Sequence, residues 1–161
     1  PYVQVESDRM ALALLGCNFY GHPARSMTMI GVTGTNGKTS VTLLLKQVLE
    51  RCLGAKVGLI GTMANMIGEE SIPTERTTPE SYELQGLFAR MRSAGCTHVV
   101  MEVSSHAVTL ERIGGVHFDV AAVCVPTMYS MPCVLLITSS VMPMPSPAVN
   151  VEPPPPASPY S

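Results

Sequence analysis

No Cys-x-x-Cys pair occurs in this sequence, and its five cysteines, at positions 17, 52, 96, 124 and 133, are odd in number. That excludes a zinc ribbon and a paired disulfide framework, and points to reduced, mostly buried thiols and a cytosolic setting. Long apolar runs are also lacking. The longest, Met10 to Leu15 and Val120 to Val125, fall far short of the roughly 20 residues that cross a bilayer. The first residues show no basic–apolar–small signal-peptide pattern. Charge of one sign is not in excess: the formal net charge is −2, which gives no reason to expect a nucleic-acid or anionic-membrane partner. No internal repeat is visible. Charge itself runs out near the end, where Glu152 is the only charged residue after Asp119, while ten of the fourteen prolines lie at or after Pro126. Such a stretch has too many breakers for regular elements, so residues 124–161 are expected to be a disordered or extended tail.

What is present, up to about residue 125, is periodic. Ser7 can cap a helix through Leu15, with breaks at Gly16 and at Gly21-His22-Pro23. Thr28 to Thr33 reads as a buried strand, followed by a glycine-rich turn and a helix from Lys38 to about Cys52. The apolar face of that helix is expected to be Val41, Leu44, Leu45, Val48 and Leu49, with Gly54 as its stop. Lys56 to Ile60 reads as a strand, Thr62 to Ile67 as a possible further one, and Gly68 to Thr77 as a polar loop. Thr78 and Pro79 have the chemistry of a helix cap and first helical residue, with Leu84, Leu87, Phe88 and Met91 facing inward until Gly95. Thr97 to Val103 and Phe118 to Val123 read as strands, separated by a short helix from Ser105 to Leu110. Strand alternating with helix predicts an α/β fold: a mostly parallel sheet with helices on both faces, binding ligands at the carboxyl ends of its strands.

The segment from Gly31 to Ser40, Gly-Val-Thr-Gly-Thr-Asn-Gly-Lys-Thr-Ser, carries the sharpest chemistry. Glycines at 34 and 37 allow a tight turn whose N–H groups face inward, and the positive end of the following helix adds to them, making a phosphate cradle. Gly34, Thr35, Asn36, Gly37, Lys38, Thr39 and Ser40 are the candidate nucleotide-binding residues. Lys38 would reach the β- and γ-phosphates, and the Thr39 hydroxyl would hold Mg²⁺. The general phosphate-loop pattern has a glycine where this chain has Val32, so the loop is a variant. A glycine-rich strand-to-helix turn without a ligand is the alternative.

Thr33-Gly-Thr-Asn-Gly-Lys-Thr39 resembles the phosphate loop of the Mur ligases. Thr77-Thr78-Pro79-Glu80, Met101-Glu-Val-Ser-Ser-His-Ala107 and Arg112 resemble the tripeptide-synthetase type within that family, and Asn18 to Pro23 is similar to its interdomain link. The likeness divides the chain into residues 1–26, a remnant of a uridine-binding domain and linker; 27–123, a P-loop-containing ATP-binding central domain, incomplete; and 124–161, a tail unrelated to the family. It implies a cytoplasmic ligase that uses ATP and Mg²⁺ to join a diamino acid to a UDP-N-acetylmuramoyl-dipeptide through an acyl phosphate. Lys38 would be catalytic, and Glu102 would be catalytic and, with Thr39, a metal ligand. Thr77, Thr78, Ser104 and Arg112 would grip the substrate, as suits hydroxyls and a guanidinium facing carboxylates and amides. Simpler roles stay open: Glu102 as a carboxylate paired with a base, Thr78 as a helix cap, Arg112 as a solvated charge. His106 is as well read as structural as catalytic, and His22, His98 and His117 as structural or solvated.

The likeness stops after Phe118-Asp-Val-Ala-Ala-Val123. No lysine follows Lys56 and no histidine follows His117, whereas the family goes on to a histidine-containing segment, a modified lysine and an amino-acid-selecting domain. A shifted reading frame beyond about residue 123 is the expectation, as is a fragment that does not complete ligation alone. Two other readings compete: a nucleotide-binding module without ligase activity, and an unrelated phosphate-loop hydrolase, whose usual second-strand aspartate is not evident.

Overall fold

A computed structural model describes residues 4–124. Helix α1 (Asp8–Phe19) comes first, capped by Ser7, whose hydroxyl oxygen accepts from Met10 N–H at 3.2 Å. A 3-10 turn (Pro23–Ser26) leads into β1 (Thr28–Gly34), followed by α2 (Lys38–Leu53), β2 (Val57–Ile60), β3 (Asn65–Ile67) and β4 (Glu70–Ile72). Then come α3 (Ser81–Ser93), β5 (His98–Glu102), α4 (Ser105–Thr109) and β6 (Val120–Cys124). The strands form one sheet in the order β4-β3-β2-β5-β1-β6. β1 runs parallel to β5 and β6, and β2 parallel to β5, while β3 and β4 are antiparallel additions at one edge.

Alternation along the strands sorts side chains between two cores. Met29, Val99 and Met101 turn toward Leu84, Phe88 and Met91 of α3. Ile30, Val32, Leu59 and Val100 turn the other way, toward Val41, Leu45 and Leu49 of α2. Helices therefore cover both faces, as the strand–helix alternation predicts. The chain leaves β1 through α2 toward β2 on one side, and leaves β5 through α4 toward β6 on the other. The crevice above β1 lies where the strand order reverses, the usual ligand position in open α/β sheets.

Four local expectations change. Gly16 does not end α1; it lies buried inside the helix against α3, where an added Cβ would sit 3.4 Å from both Gln85 Cγ and Tyr82 Cα, so close helix packing outweighs glycine's weak helix propensity. The expected loop 68–77 contains β4, because Gly68 at φ 60° turns the chain back into a hairpin on β3. Helix α3 starts at Ser81 rather than beside Thr78, and its cap position, Glu80, makes no side-chain capping bond. The inward face of α2 is turned by roughly 60° on a wheel of about 100° per residue: Leu44 and Val48 are 61% and 46% exposed, and Thr42 and Lys46 are buried in their place. Lys46 can lie inward because its stem covers apolar surface while its ammonium reaches Glu50 at 2.6 Å. The expected tail begins one residue too early, since Cys124 ends β6 in register with Gly34 of β1; the rest of it, 125–161, lies outside the described residues.

Candidate functional site

The glycine-rich loop expected to cradle phosphate lies at the carboxyl end of β1. Gly34 has φ 129° and Gly37 φ 85°, a backbone region costly for side-chain-bearing residues. Gly34 has a second reason to be glycine: an added Cβ would lie 2.0 Å from the carbonyl oxygen of Cys124, at the end of β6. Gly37 is the N-cap of α2 and offers no side chain to its first turn. The first helical bond runs from Val41 N–H to Gly37 O at 2.9 Å, so the N–H groups of Lys38, Thr39 and Ser40 have no acceptor within the helix. These donors sit at the positive end of a 16-residue helix, an arrangement suited to phosphate. The Lys38 ammonium folds over the loop, donating to Gly34 O at 2.7 Å and Thr35 O at 3.3 Å. Thr35 and Asn36 are exposed at the tip, and Thr39 and Ser40 lie on the first turn of α2.

Glu102 ends β5, in register with Val32 of β1, so its side chain stands beside the loop's root. It is 1% exposed, yet among the described residues no base pairs with it. Its carboxylate is held by Thr62, just past β2: Thr62 N–H donates to Oε1 at 3.0 Å, and the Thr62 hydroxyl lies 3.1 Å from Oε2. The neighbouring Gly61 leaves the space this needs, since a Cβ there would come within 2.6 Å of Oε1. A buried carboxylate balanced only by neutral donors is costly unless a cation completes it.

The loop before α3 returns the remaining candidates to the same place. The Thr77 hydroxyl lies 3.0 Å from that of Thr62. Thr78 is 1% exposed and faces the protein; its hydroxyl donates to Glu102 O at 2.9 Å and accepts from Ser104 N–H at 3.3 Å. Ser104 caps α4, accepting from Ala107 N–H at 3.1 Å. Arg112 donates to Thr78 O at 3.3 Å and pairs with Glu80 at 2.9 Å, while its buried Nε has no partner among the described residues. It is therefore an anchored cation rather than a solvated one. Thr77, Thr78, Glu102, Ser104 and Arg112 thus form one bonded cluster. His106 lies exposed on α4 and has no bond to that cluster. His22 and His98 bond to Asn18 and Thr97, respectively, and His98 begins β5, at the opposite end of that strand from Glu102. Thr62 is the member that reading the sequence missed; its signal was its place one residue beyond Gly61 at a strand end.

A cavity of about 360 Å³, lined by Cys17, His22, Arg25, Gln85, His117 and Asp119 among others, lies at the opposite end of the sheet, where β1 and β6 begin. Among the described residues no three acidic, histidine or cysteine side chains gather as a ready-made metal cage. An oxygen donor set of one carboxylate and hydroxyls still fits Mg²⁺, which keeps waters and phosphate oxygens as most of its ligands. No helix among the described residues is long and apolar enough to cross a membrane.

A glycine-rich strand-to-helix loop at the switch point of a mainly parallel sheet, with a buried carboxylate on the adjoining strand, defines an α/β domain whose open edge is suited to an anionic ligand. The family profile of the Mur ligase middle domain matches residues 32–125, and the chain belongs to that family. It is 54% identical over 119 residues to the UDP-N-acetylmuramoyl-L-alanyl-D-glutamate–2,6-diaminopimelate ligase of Caldanaerobacter subterraneus subsp. tengcongensis, a match covering 74% of this chain and 24% of that protein. It is 53% identical over 122 residues to the ligase of the same name from Corynebacterium glutamicum, covering 76% and 23%. The chain therefore spans about a quarter of the length of these curated relatives. Among solved structures, a ligase of that name superposes with TM-score 0.62 at 23% identity, covering 74% of this chain and 26% of the other. The folylpolyglutamate synthetase of Lactobacillus casei superposes with TM-score 0.52 at 22% identity, covering 76% and 36%. Both likenesses show the fold.

Proposed function

We propose that this chain is the nucleotide-binding part of an ATP-dependent ligase that joins 2,6-diaminopimelate to UDP-N-acetylmuramoyl-L-alanyl-D-glutamate, a cytoplasmic step in building peptidoglycan. The names of the relatives that are half identical over the matched residues support the substrate class. The observation that carries the reading is the pairing of open amides at the start of α2 with a buried Glu102 on the adjoining strand that has no basic partner among the described residues. Residues 34–40 cradle the triphosphate, and the Lys38 ammonium turns from loop carbonyls to the β- and γ-phosphates. Glu102 and the Thr39 hydroxyl are the protein groups that would hold Mg²⁺, which supplies charge neutralisation at the transferring phosphoryl group. Arg112 and Thr77 face the dipeptide's carboxylates and amides, with Ser104 at the cap of α4 beside them. Thr78 acts by tying its loop to the end of β5. Residues 27–123 carry the nucleotide chemistry, and residues 1–26 lead in from a uridine-binding domain.

The substrate carboxylate attacks the γ-phosphorus and displaces ADP, forming an acyl phosphate; the amine then attacks the acyl carbon and releases phosphate. Calorimetry with Mg²⁺ and ATP tests the nucleotide reading: wild type binds, and Lys38→Ala weakens binding by tenfold or more. Equal binding by the two would overturn it. A second reading, nucleotide binding without ligation by these 161 residues alone, is favoured by the quarter-length match. Tripeptide formation by the isolated chain would refute it.

A further inference from the structure

Three oxygen atoms are joined by two successive hydrogen-bond contacts: Glu102 Oε2, the Thr62 hydroxyl at 3.1 Å from it, and the Thr77 hydroxyl at 3.0 Å from that of Thr62. The proton directions along these contacts are not independent. A carboxylate only accepts, and each hydroxyl has one proton to give. With Glu102 ionised, Thr62 spends its proton on Oε2, and its oxygen accepts the proton of Thr77. Thr77, half-buried at the rim, is then left with lone pairs alone, the complement of a ligand N–H. The carboxylate is not free to turn away, because Thr62 N–H holds Oε1 at 3.0 Å.

We propose that Thr62 is a positioning residue that couples the metal-side carboxylate to the substrate-side threonine by setting which way the Thr77 proton points. The inference rests on the reading above, in which Glu102 faces Mg²⁺ and Thr77 faces the muramoyl-dipeptide. A cation that draws on the Glu102 oxygens competes with the Thr62 hydroxyl for them. The Thr62 proton can then turn to Thr77, and the Thr77 proton becomes available to a ligand oxyanion. The same threonine thus accepts from an amide N–H before the cation arrives and donates to a carboxylate afterwards. Coupling of this kind is reciprocal: an anionic ligand at Thr77 strengthens cation binding at Glu102. Thr62 suits the task because it is exposed, so its hydroxyl reorients without repacking a core.

The test is a methyl and amide NMR titration of the whole chain with Mg²⁺ and a non-hydrolysable ATP analogue, in wild type, Thr62→Val and Thr62→Ser. In wild type, the Glu102 and Thr62 amides and the Thr77 methyl group all shift. In Thr62→Val, which keeps the backbone N–H bond to Oε1, Glu102 still responds and the Thr77 methyl shift falls at least threefold. Thr62→Ser, which restores a hydroxyl, returns it toward wild type. A merely structural residue would not separate the two responses or be rescued by serine. No response at Glu102 in wild type overturns the metal reading and this inference with it. A Thr77 shift of equal size in wild type and Thr62→Val overturns the relay alone. Should Thr62→Val lose its dispersed spectrum, Thr62→Ala is read by the same criteria, and loss of fold in both, marking Thr62 as structural, also overturns the relay.

Discussion

Thr78 shows how one side chain can be misread from its neighbours in sequence. Followed by proline and glutamate it has the chemistry of a helix cap, yet its hydroxyl joins Glu102 O to Ser104 N–H across the end of β5. Thr78→Val keeps shape and removes the partner of the buried Glu102 carbonyl and of the half-buried Ser104 N–H, which costs about 1–3 kcal/mol; urea denaturation of the variant measures it, and an unchanged midpoint would show that water replaces the hydroxyl. Gly34 was legible as glycine, but only half of the reason was. Its left-handed backbone belongs to the loop motif, whereas the 2.0 Å approach of Cys124 O to a would-be Cβ depends on β6, ninety residues later. Gly34→Ala combines backbone strain of about 1–3 kcal/mol with overpacking of similar size. The variant is expected to lose several degrees of Tm along with nucleotide binding, and a stable Gly34→Ala protein would show that β6 yields.

Elements were placed well where periodicity met a glycine stop, as in α2 and α3, ended by Gly54 and Gly95 in the left-handed conformation. Which side of α2 faces inward was not legible. Apolar residues occupy two-thirds of its circumference, so the sheet beneath chooses among them, and Val41, Leu45 and Leu49 are the ones it meets. Leu44→Ser and Val48→Ser should each change stability by less than about 0.5 kcal/mol, the range of surface substitutions. Leu84→Ala, in the unambiguous face of α3, should cost about 2–5 kcal/mol. Thermal melts of the three variants compare the two faces directly, and a large loss at Leu44 would contradict the observed rotation. The β3–β4 hairpin escaped notice because three-residue strands carry too little alternation to stand out from a polar loop.

At the scale of the whole molecule, burial shifts two thiols together. Burial pushes Cys17 and Cys96 above the ordinary thiol range, only partly offset by Arg25 near the first and Lys56 near the second. In the unfolded chain both ionise near about pH 8.5. Above that pH the unfolded state binds fewer protons than the native state, so the slope of stability with pH is negative. The contribution is intact below the unfolded value and is lost as pH rises through the folded one. Denaturation midpoints should therefore fall on the alkaline side, and fall less in a Cys17→Ala, Cys96→Ala variant. Parallel slopes would assign the alkaline loss to other groups.

The α/β class, the glycine-rich turn between β1 and α2 and the choice of most candidate site residues came from the sequence alone, because glycine spacing, strand periodicity and the order of polar clusters are local properties of the chain. The tertiary structure decided which groups touch. It set Thr62 against Glu102, turned Thr78 inward, anchored Arg112 on Glu80 and rotated α2, since each depends on side chains brought together across the sheet by packing that no local window contains.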